Sequence, residues 1–285
     1  MVRGAFGAAF KKLSCTPECR DARVCERRAE CAYARIFEPR AARDGSPSGL
    51  ADWPRPFVFR ASHLDGRTVQ AGENFHFDVH LFETKESSLS WFVRAFAEAA
   101  RCGVGPRRAP AELTGVDALS LGGEPVRRVF DGATLSDPEL PLAIDLSAGC
   151  PGVIRMRVIF ATPTELKADG QTGESFAFDV LLARIRDRIS TLRALYGVGP
   201  LEIDFRAMRE RAALVKLKRT ALRWVEAGRR SAHTGQTHSI GGVVGDVEYE
   251  GDLAEFVPYL RAGELTGVGR QTVWGKGQIV SETVW

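Results

Sequence analysis

Alternating apolar and polar positions predict strands in both halves of the chain. In ENFHFDVHLF, residues 73–82, an apolar side chain occupies every second position, and His76, Asp78 and His80 fall between them. A period of two is typical of a half-buried strand. In the second half, GVIRMRVIFATPTEL predicts a strand that ends at Pro163, and two further strands are predicted at 240–251 and 272–285.

Apolar residues three and four positions apart predict the helices. Residues 87–105 have this spacing, with Ser87 or Ser88 as the cap and Gly103 as the stop. Residues 175–197 predict a long helix that ends at Gly197, and 252–264 predict a short helix broken by Pro258. The chain opens on a helix, followed by a loop rich in cysteine. Because strands and helices recur in both halves, the pattern favours an α+β protein with two domains of similar build.

Length and composition agree with two ordinary globular domains. The chain has 285 residues, of which 44% are hydrophobic and 26% charged. No apolar run reaches the roughly 18 residues of a membrane span, so we expect a cytoplasmic protein whose six cysteines are reduced. The net charge of +3 is weak support for an anionic partner.

The segment TGVGRQTVWGKGQI, residues 266–279, carries two Gly-x-Gly pairs, Gly267/Gly269 and Gly275/Gly277. The dinucleotide fingerprint needs a third glycine at position 272, where this chain has Thr272. The P-loop needs Ser or Thr after its Gly-Lys pair, where this chain has Gly277. Glycines let backbone N–H groups approach an anion, and Arg270 and Lys276 add cations. Hairpin glycines beside a solvated basic run are the alternative interpretation. That run comprises Arg184, Arg186, Arg188, Arg206, Arg209, Arg211, Lys216, Lys218, Arg219, Arg223, Arg229 and Arg230.

Six segments together resemble the CRISPR precursor-RNA processing endoribonucleases of the RAMP superfamily. In the second half they are GVIRMRVIFATPTELKADG, FAFDVLLARIRDRISTLRALYG and the run from Gly241 to Ile279 that contains the glycine-rich segment. In the first half they are RGAFGAAFKKLSC, CAYARIFEP and WFVRAFAEAARCGVG. The resemblance covers nearly the whole chain.

The resemblance implies two tandem ferredoxin-like, RNA-recognition-type domains, at 1–148 and 149–285, with RNA held across their basic faces. The implied partners are CRISPR repeat RNA or the mature guide RNA, and a CRISPR effector complex is a further candidate. The implied reaction is a cut without metal or other cofactor, in which a 2′-hydroxyl attacks the adjacent phosphate. The first domain lacks its opening strand, because the helix begins near residue 3. We therefore expect either a start codon upstream or a truncated chain.

Such a cut needs a base, an acid and cations, and histidine suits the first two roles. His233 and His238 lie in RRSAHTGQTHSIGG, where the family often has an Arg-Tyr-Ser stretch and this chain has Arg229, Arg230 and Ser231. We take His233, His238 and Lys276 as the catalytic candidates. The RNA-binding candidates are Arg229, Arg230, Arg270 and the four glycines at 267, 269, 275 and 277.

Other histidines and the aromatic residues admit two interpretations each. His63 could supply the base from the first half of the chain, although it matches no family position. His76 and His80 could bind a metal, or they could be the polar face of a strand. Trp224, Trp274 and Tyr249 could stack on bases, but core packing is the stronger prediction for them.

Cys15, Cys19, Cys25 and Cys31 lie close together in a polar stretch. Their uneven spacing contains no Cys-x-x-Cys pair, yet four thiols could close a structural zinc site. Reduced packing thiols and redox pairing are the alternatives.

Two other functions compete with the endoribonuclease. One is a non-catalytic RAMP subunit that holds guide RNA in an effector complex, and the other is an RNA-binding protein with no CRISPR role.

Overall fold

The structure is a computed structural model. It describes residues 2–16, 18–19, 22–39, 53–83, 88–105, 107–136, 142–168, 171–172, 176–226, 228–230, 237–239 and 241–285. The chain divides into two compact units, Met1–Pro56 with Glu83–Ala143, and Phe57–Phe82 with Ile144–Trp285. The stretch 57–82 thus packs with the C-terminal half. The domain limits 1–148 and 149–285 stay a prediction.

The first unit is built from helices around aromatic side chains. Its elements are α1 (Val2–Ser14), α2 (Ala32–Phe37), α3 (Leu89–Cys102) and a hairpin of β3 (Val116–Leu119) and β4 (Pro125–Phe130). The ring of Phe6 lies 4.5 Å from that of Phe96 and 4.9 Å from that of Phe92, centroid to centroid. The first described element is therefore a helix, as the sequence predicts, and α3 ends at Gly103, whose φ of 98° few other residues adopt.

A four-stranded antiparallel sheet forms the centre of the second unit. Its strands are β5 (Arg155–Thr164), β8 (Lys216–Val225), β11 (Gly242–Glu250) and β12 (Ile279–Thr283), in the order β12-β5-β11-β8. When the four strands are numbered in chain order, the fourth lies beside the first, followed by the third and the second. This is the strand order of a ferredoxin-like domain. The unit also has two short hairpins in its C-terminal part, β6 (Lys167–Ala168) with β7 (Gln171–Thr172) and β9 (Gly228–Arg230) with β10 (Thr237–Ser239).

Three helices accompany this sheet: α4 (Phe178–Tyr196), α5 (Phe205–Ala212) and α6 (Val257–Thr266). The apolar side of the sheet packs with α4 and α6 in one core, which contains Val158, Leu181, Val247 and Leu260. The predictions of α4 and its stop at Gly197 are confirmed. The prediction that Pro258 breaks a helix is wrong. Pro258 lies in the first turn of α6, where its missing N–H has no partner to lose.

The strand predicted over 73–82 is shorter in the structure. It forms only β2 (Asp78–Leu81), which pairs antiparallel with β1 (Phe57–Arg60), so that Arg60 is opposite Asp78. A 3-10 helix at Ser62–Leu64 follows β1 directly. In the second half, β5 runs through Pro163 rather than stopping there. The β1–β2 hairpin and the segment after α6 are the two parts of the second unit that matter most below.

Candidate functional site

The glycine-rich loop, residues 267–277, follows α6 and leads into β12. Its four predicted glycines all have φ between 68° and 79°. A Cβ added to Gly277 would lie 1.9 Å from the carbonyl oxygen of Val268, and one added to Gly269 would lie 2.4 Å from that of Glu165. Glycine is therefore required at these two positions by both backbone conformation and space.

Most of the glycine N–H groups already donate inside the protein. The N–H of Gly267 donates to Gly263 O at 2.8 Å, that of Gly275 to Thr272 O at 3.0 Å and that of Gly277 to Pro163 O at 3.2 Å. The prediction that all four glycine N–H groups bind an anion therefore does not hold for these three. Within the described contacts, only the N–H of Gly269 remains available for that role. The other three shape the loop.

The two loop cations differ in their surroundings. Arg270 is half exposed, and its Nη1 lies 3.2 Å from Glu165 Oε1. Lys276 is partly buried, and burial lowers the pKa of its ammonium, with Asp65 acting in the opposite direction. A lowered pKa makes Lys276 a better proton donor than an exposed lysine.

The β1–β2 hairpin lies against this loop. A Cβ on Gly275 would come 3.8 Å from Phe59 O in β1. Ser62 Oγ, just after β1, donates to Gln278 Oε1 at 3.2 Å. The residues between β1 and β2 are therefore brought beside the loop and its lysine.

A stacked histidine pair occupies this connection. The rings of His63 and His76 lie 4.9 Å apart at an interplanar angle of 27°. His63 Nε2 lies 2.8 Å from the carbonyl oxygen of His76, so this nitrogen carries the hydrogen and donates it. Neutral His63 then presents Nδ1 as a proton acceptor. The sequence identified His63 as an isolated candidate, and only the hairpin shows its partner.

The polar face of the four-stranded sheet is charge-balanced. Arg155 and Arg157 of β5 and Lys218 and Arg219 of β8 flank β11, and all four pair with carboxylates at 2.8–3.7 Å. The carboxylates are Asp246, Glu248, Glu250 and Glu282. Four carboxylates therefore neutralise these four cations, which lowers the positive charge of this face.

Two arginines of the predicted basic surface are not on a surface at all. Arg186 is 7% exposed, stacks over Phe205 at 4.5 Å and donates to Phe205 O at 2.8 Å. The guanidinium of Arg188 is buried, and its Nε donates to Thr266 O at 2.8 Å. The prediction that both belong to a solvated basic face is wrong, because their side chains point into the packed side of α4.

Part of the predicted site lies outside the described residues. This applies to His233 and to the side chains of Arg229, Arg230 and His238. The structure describes the backbone of the last three in β9 and β10, where His238 is opposite Arg229. Their predicted roles remain predictions.

The aromatic candidates separate clearly. Tyr249 is fully buried and donates to Phe176 O at 2.7 Å, as expected for core packing. Trp224 is 52% exposed, so its predicted burial is wrong. The Nε1 of Trp224 donates to Glu226 Oε1 at 2.6 Å. Trp224 belongs to β8, which is an edge strand of the four-stranded sheet.

The four N-terminal cysteines are partly exposed free thiols. Among the described residues, no group of three or more His, Cys, Asp or Glu side chains is arranged to hold a metal ion. Burial and the neighbouring Cys31 and Cys19 raise the pKa of the Cys15 thiol. The structure gives the predicted zinc site no support. Among the described helices, none is long and apolar enough to cross a membrane.

Two family models match the sequence. The model described as CRISPR-associated endoribonuclease Cas6 matches residues 158–279, which include α4, α6 and the glycine-rich loop. A model described as an N-terminal domain matches residues 1–140. A search of curated proteins finds no match.

Solved structures of similar fold include two from this family. A product complex of Cas6 (TTHB231), which is from Thermus thermophilus, is 15% identical with a TM-score of 0.51, over 99% of this chain and 91% of that one. A product complex of Cas6 (TTHA0078) is 17% identical with a TM-score of 0.47, over 87% and 88%. The first likeness confirms the predicted fold class of two tandem ferredoxin-like domains.

Proposed function

We propose that the chain cleaves CRISPR repeat RNA to mature guide RNA, because residues 158–279 match the family model described as CRISPR-associated endoribonuclease Cas6. The observation that carries the proposal is that the β1–β2 connection, which holds the stacked histidines, lies beside the loop that holds Lys276. A phosphodiester needs a base, an acid and a cation at one place for this cut. The candidate base, His63, and the two loop cations, Arg270 and Lys276, lie on two segments that contact each other, the β1–β2 connection and the loop.

The proposed reaction proceeds without a metal. His63 Nδ1 takes the proton of the 2′-hydroxyl, and that oxygen forms a bond to the adjacent phosphorus. The bond from phosphorus to the 5′-oxygen breaks, and the Lys276 ammonium gives its proton to the leaving oxygen. The products carry a 2′,3′-cyclic phosphate and a 5′-hydroxyl. The guanidinium of Arg270 can donate two parallel hydrogen bonds to the phosphate. To do so it must break its ion pair with Glu165 or bind Glu165 and the phosphate at the same time.

His233 and His238 are the rival base and acid, in or beside the β9–β10 hairpin, and Arg229 and Arg230 would bind RNA there. The family histidine of the first domain has no match in this chain, which keeps a guide-holding subunit as the second function. The geometry favours His63 because its acceptor nitrogen is free of described partners and its ring is held by His76.

The test uses end-labelled RNA with the CRISPR repeat of the same genome, incubated with the purified protein in EDTA. We expect one cut within the repeat and the two product ends named above. His63→Ala should then slow single-turnover cleavage about 100-fold or more, while binding of RNA with a 2′-deoxy cleavage site changes less than about threefold. His76→Phe keeps the stack and serves as the matched control.

Two outcomes would redirect the proposal. If His238→Ala or His233→Ala abolishes the cut and His63→Ala does not, the chemistry belongs to the β9–β10 hairpin. Tight binding of the repeat by the wild type without any cut would overturn the nuclease and support the guide-holding subunit.

A further inference from the structure

The last turn of α6 ends directly at the glycine-rich loop. In any α-helix the last carbonyl groups have no helical partner and carry the negative end of the helix dipole. Here the carbonyls of Glu264, Leu265 and Thr266 are in this position. Their partners determine how firmly the loop is anchored.

Three side chains from three other elements donate to these carbonyls. Arg60 Nη2 of β1 donates to Glu264 O at 2.5 Å and to Leu265 O at 3.2 Å. His80 Nδ1 of β2 lies 2.8 Å from Leu265 O, and Arg188 Nε of α4 donates to Thr266 O at 2.8 Å. Because a carbonyl can only accept, His80 carries its hydrogen on Nδ1.

Burying the guanidinium groups of Arg60 and Arg188 costs free energy. Arg60 is 7% exposed, and two buried nitrogens, Arg60 Nη1 and Arg188 Nη2, have no hydrogen-bond partner among the described residues. Burial lowers the pKa of each guanidinium to about 10, so both stay charged at neutral pH. Two like charges placed together in the interior are destabilising, which points to a role for them beyond packing.

The hairpin that carries Arg60 and His80 also carries the histidine pair. Arg60 is three positions before His63, and His80 is four positions after His76. Ser62 of the same hairpin also donates to Gln278, the residue directly after the loop. The clamp, defined as Arg60, His80 and Arg188, therefore joins the segment bearing the candidate base to the segment bearing Lys276.

We propose that the clamp consists of positioning residues that set the histidine pair and the glycine-rich loop at the spacing needed for cleavage. This inference rests on the proposed function. None of the three residues needs to touch RNA, because each acts through the carbonyls of α6. A displacement of about 1 Å at a reacting group can cost about 100-fold in rate, so loss of one clamp contact should reduce cleavage far more than binding.

The test compares His80→Phe with His80→Asn. The amide nitrogen of asparagine can occupy the place of Nδ1 and donate to Leu265 O, whereas phenylalanine keeps the ring and loses the donor. We expect His80→Phe to slow single-turnover cleavage of the repeat RNA at least about tenfold. Its Kd for the 2′-deoxy RNA should stay within about threefold, and His80→Asn should recover most of the rate. Equal rates for both variants, or a fall in binding as large as the fall in rate, would overturn the clamp.

A second measurement is independent of catalysis and of RNA. Backbone hydrogen exchange should become faster in the loop of His80→Phe, where Val268 N–H donates to Gly277 O at 2.9 Å. Exchange in β11 is the internal control and should not change. If the wild type does not cleave, the proposed function fails, and exchange still decides the clamp: no acceleration in the loop would overturn it. Arg60→Lys, which keeps the charge but not the bridge across two carbonyls, replaces His80→Phe if that variant does not fold.

Discussion

Two sets of cations in the second unit have opposite environments. On the polar face of the sheet, Arg155, Arg157, Lys218 and Arg219 are each matched by carboxylates. Around the glycine-rich loop, Arg60 and Arg188 are bound to carbonyl groups of α6, and Lys276 is partly buried near Asp65. A carboxylate cancels a charge and a carbonyl does not. The guanidinium groups of Arg60 and Arg188 therefore donate to neutral carbonyl groups, whereas the four sheet cations each pair with a carboxylate.

This difference changes where RNA is expected to bind. A run of basic residues in a sequence suggests a basic surface, but Lys218 and Arg219 of this run are neutralised by carboxylates of the neighbouring strand β11. An exposed ion pair contributes little stability, so the sheet network matters mainly for cancelling charge. The predictions below alter the two regions separately, from the largest expected effect to the smallest.

Gly277→Ala should damage the loop most. Its Cβ would lie 1.9 Å from Val268 O at a φ of 68°, so the backbone must move. We expect the free energy of unfolding to fall by at least about 3 kcal/mol, measured by urea denaturation. Gly275→Ala is the matched control, because its φ is 79° but its nearest atom is 3.8 Å away, and it should cost only about 1 kcal/mol. Equal losses for the two variants would show that space at Gly277 is unimportant.

Lys276→Ala should weaken binding of the 2′-deoxy repeat RNA about tenfold. The slope of log Kd against log salt should also become shallower by about 1, because one phosphate contact is lost. Arg219→Ala removes a cation from the sheet face and should change Kd less than about twofold. The comparison would break if Arg219→Ala changed the salt slope as much as Lys276→Ala does.

The clamp histidine should make stability depend on pH. Burial lowers the pKa of His80, the nearby Arg60 charge acts in the same direction, and the Leu265 carbonyl and Asp78 oppose them. Between this lowered pKa and the unfolded value near 6.5, the unfolded chain binds more protons than the folded one. The free energy of unfolding should therefore decrease as pH falls below about 6.5, by roughly 1.4 kcal/mol for each unit of pKa difference.

His80→Asn provides the control for this pH dependence, since it keeps a donor but cannot titrate. The free energy of unfolding, measured by denaturation between about pH 5 and 7, should change less with pH in this variant than in the wild type. An unchanged slope would mean that other groups cause the pH dependence.

Glu248→Gln combined with Glu250→Gln should have the smallest effect on stability, within about 0.5 kcal/mol. It would remove two negative charges from the sheet face and so make that face more positive. Binding of an unrelated single-stranded RNA should then become tighter and more dependent on salt, which filter binding would measure. No gain in such binding would imply that charge balance is not what keeps RNA from this face.

Local signals predicted the fold better than the site. The helix predicted over 175–197 appears as Phe178–Tyr196 because its apolar spacing and Gly197 act within a few residues. Pro258 misled the prediction because the same residue can break a helix or begin one. The exposed Trp224 was also mispredicted, since an edge strand leaves a large side chain uncovered.

The clamp and the histidine pair depend on contacts that no local pattern reveals. Arg60 and Glu264 are 204 positions apart, and His63 and His76 meet only because β1 and β2 pair. Arg188 belongs to a regular helix, and its burial follows from what α6 places beside it. The glycine-rich loop could be identified from sequence because its glycines are required at particular backbone angles.

The most direct test of this account is a photocrosslink between the protein and repeat RNA that carries 4-thiouridine beside the cleavage position. The account predicts crosslinked peptides from the β1–β2 hairpin, residues 57–82, and from the glycine-rich loop, residues 267–277. Crosslinks concentrated on the polar face of β5, β8 and β11, with none at the loop, would contradict it.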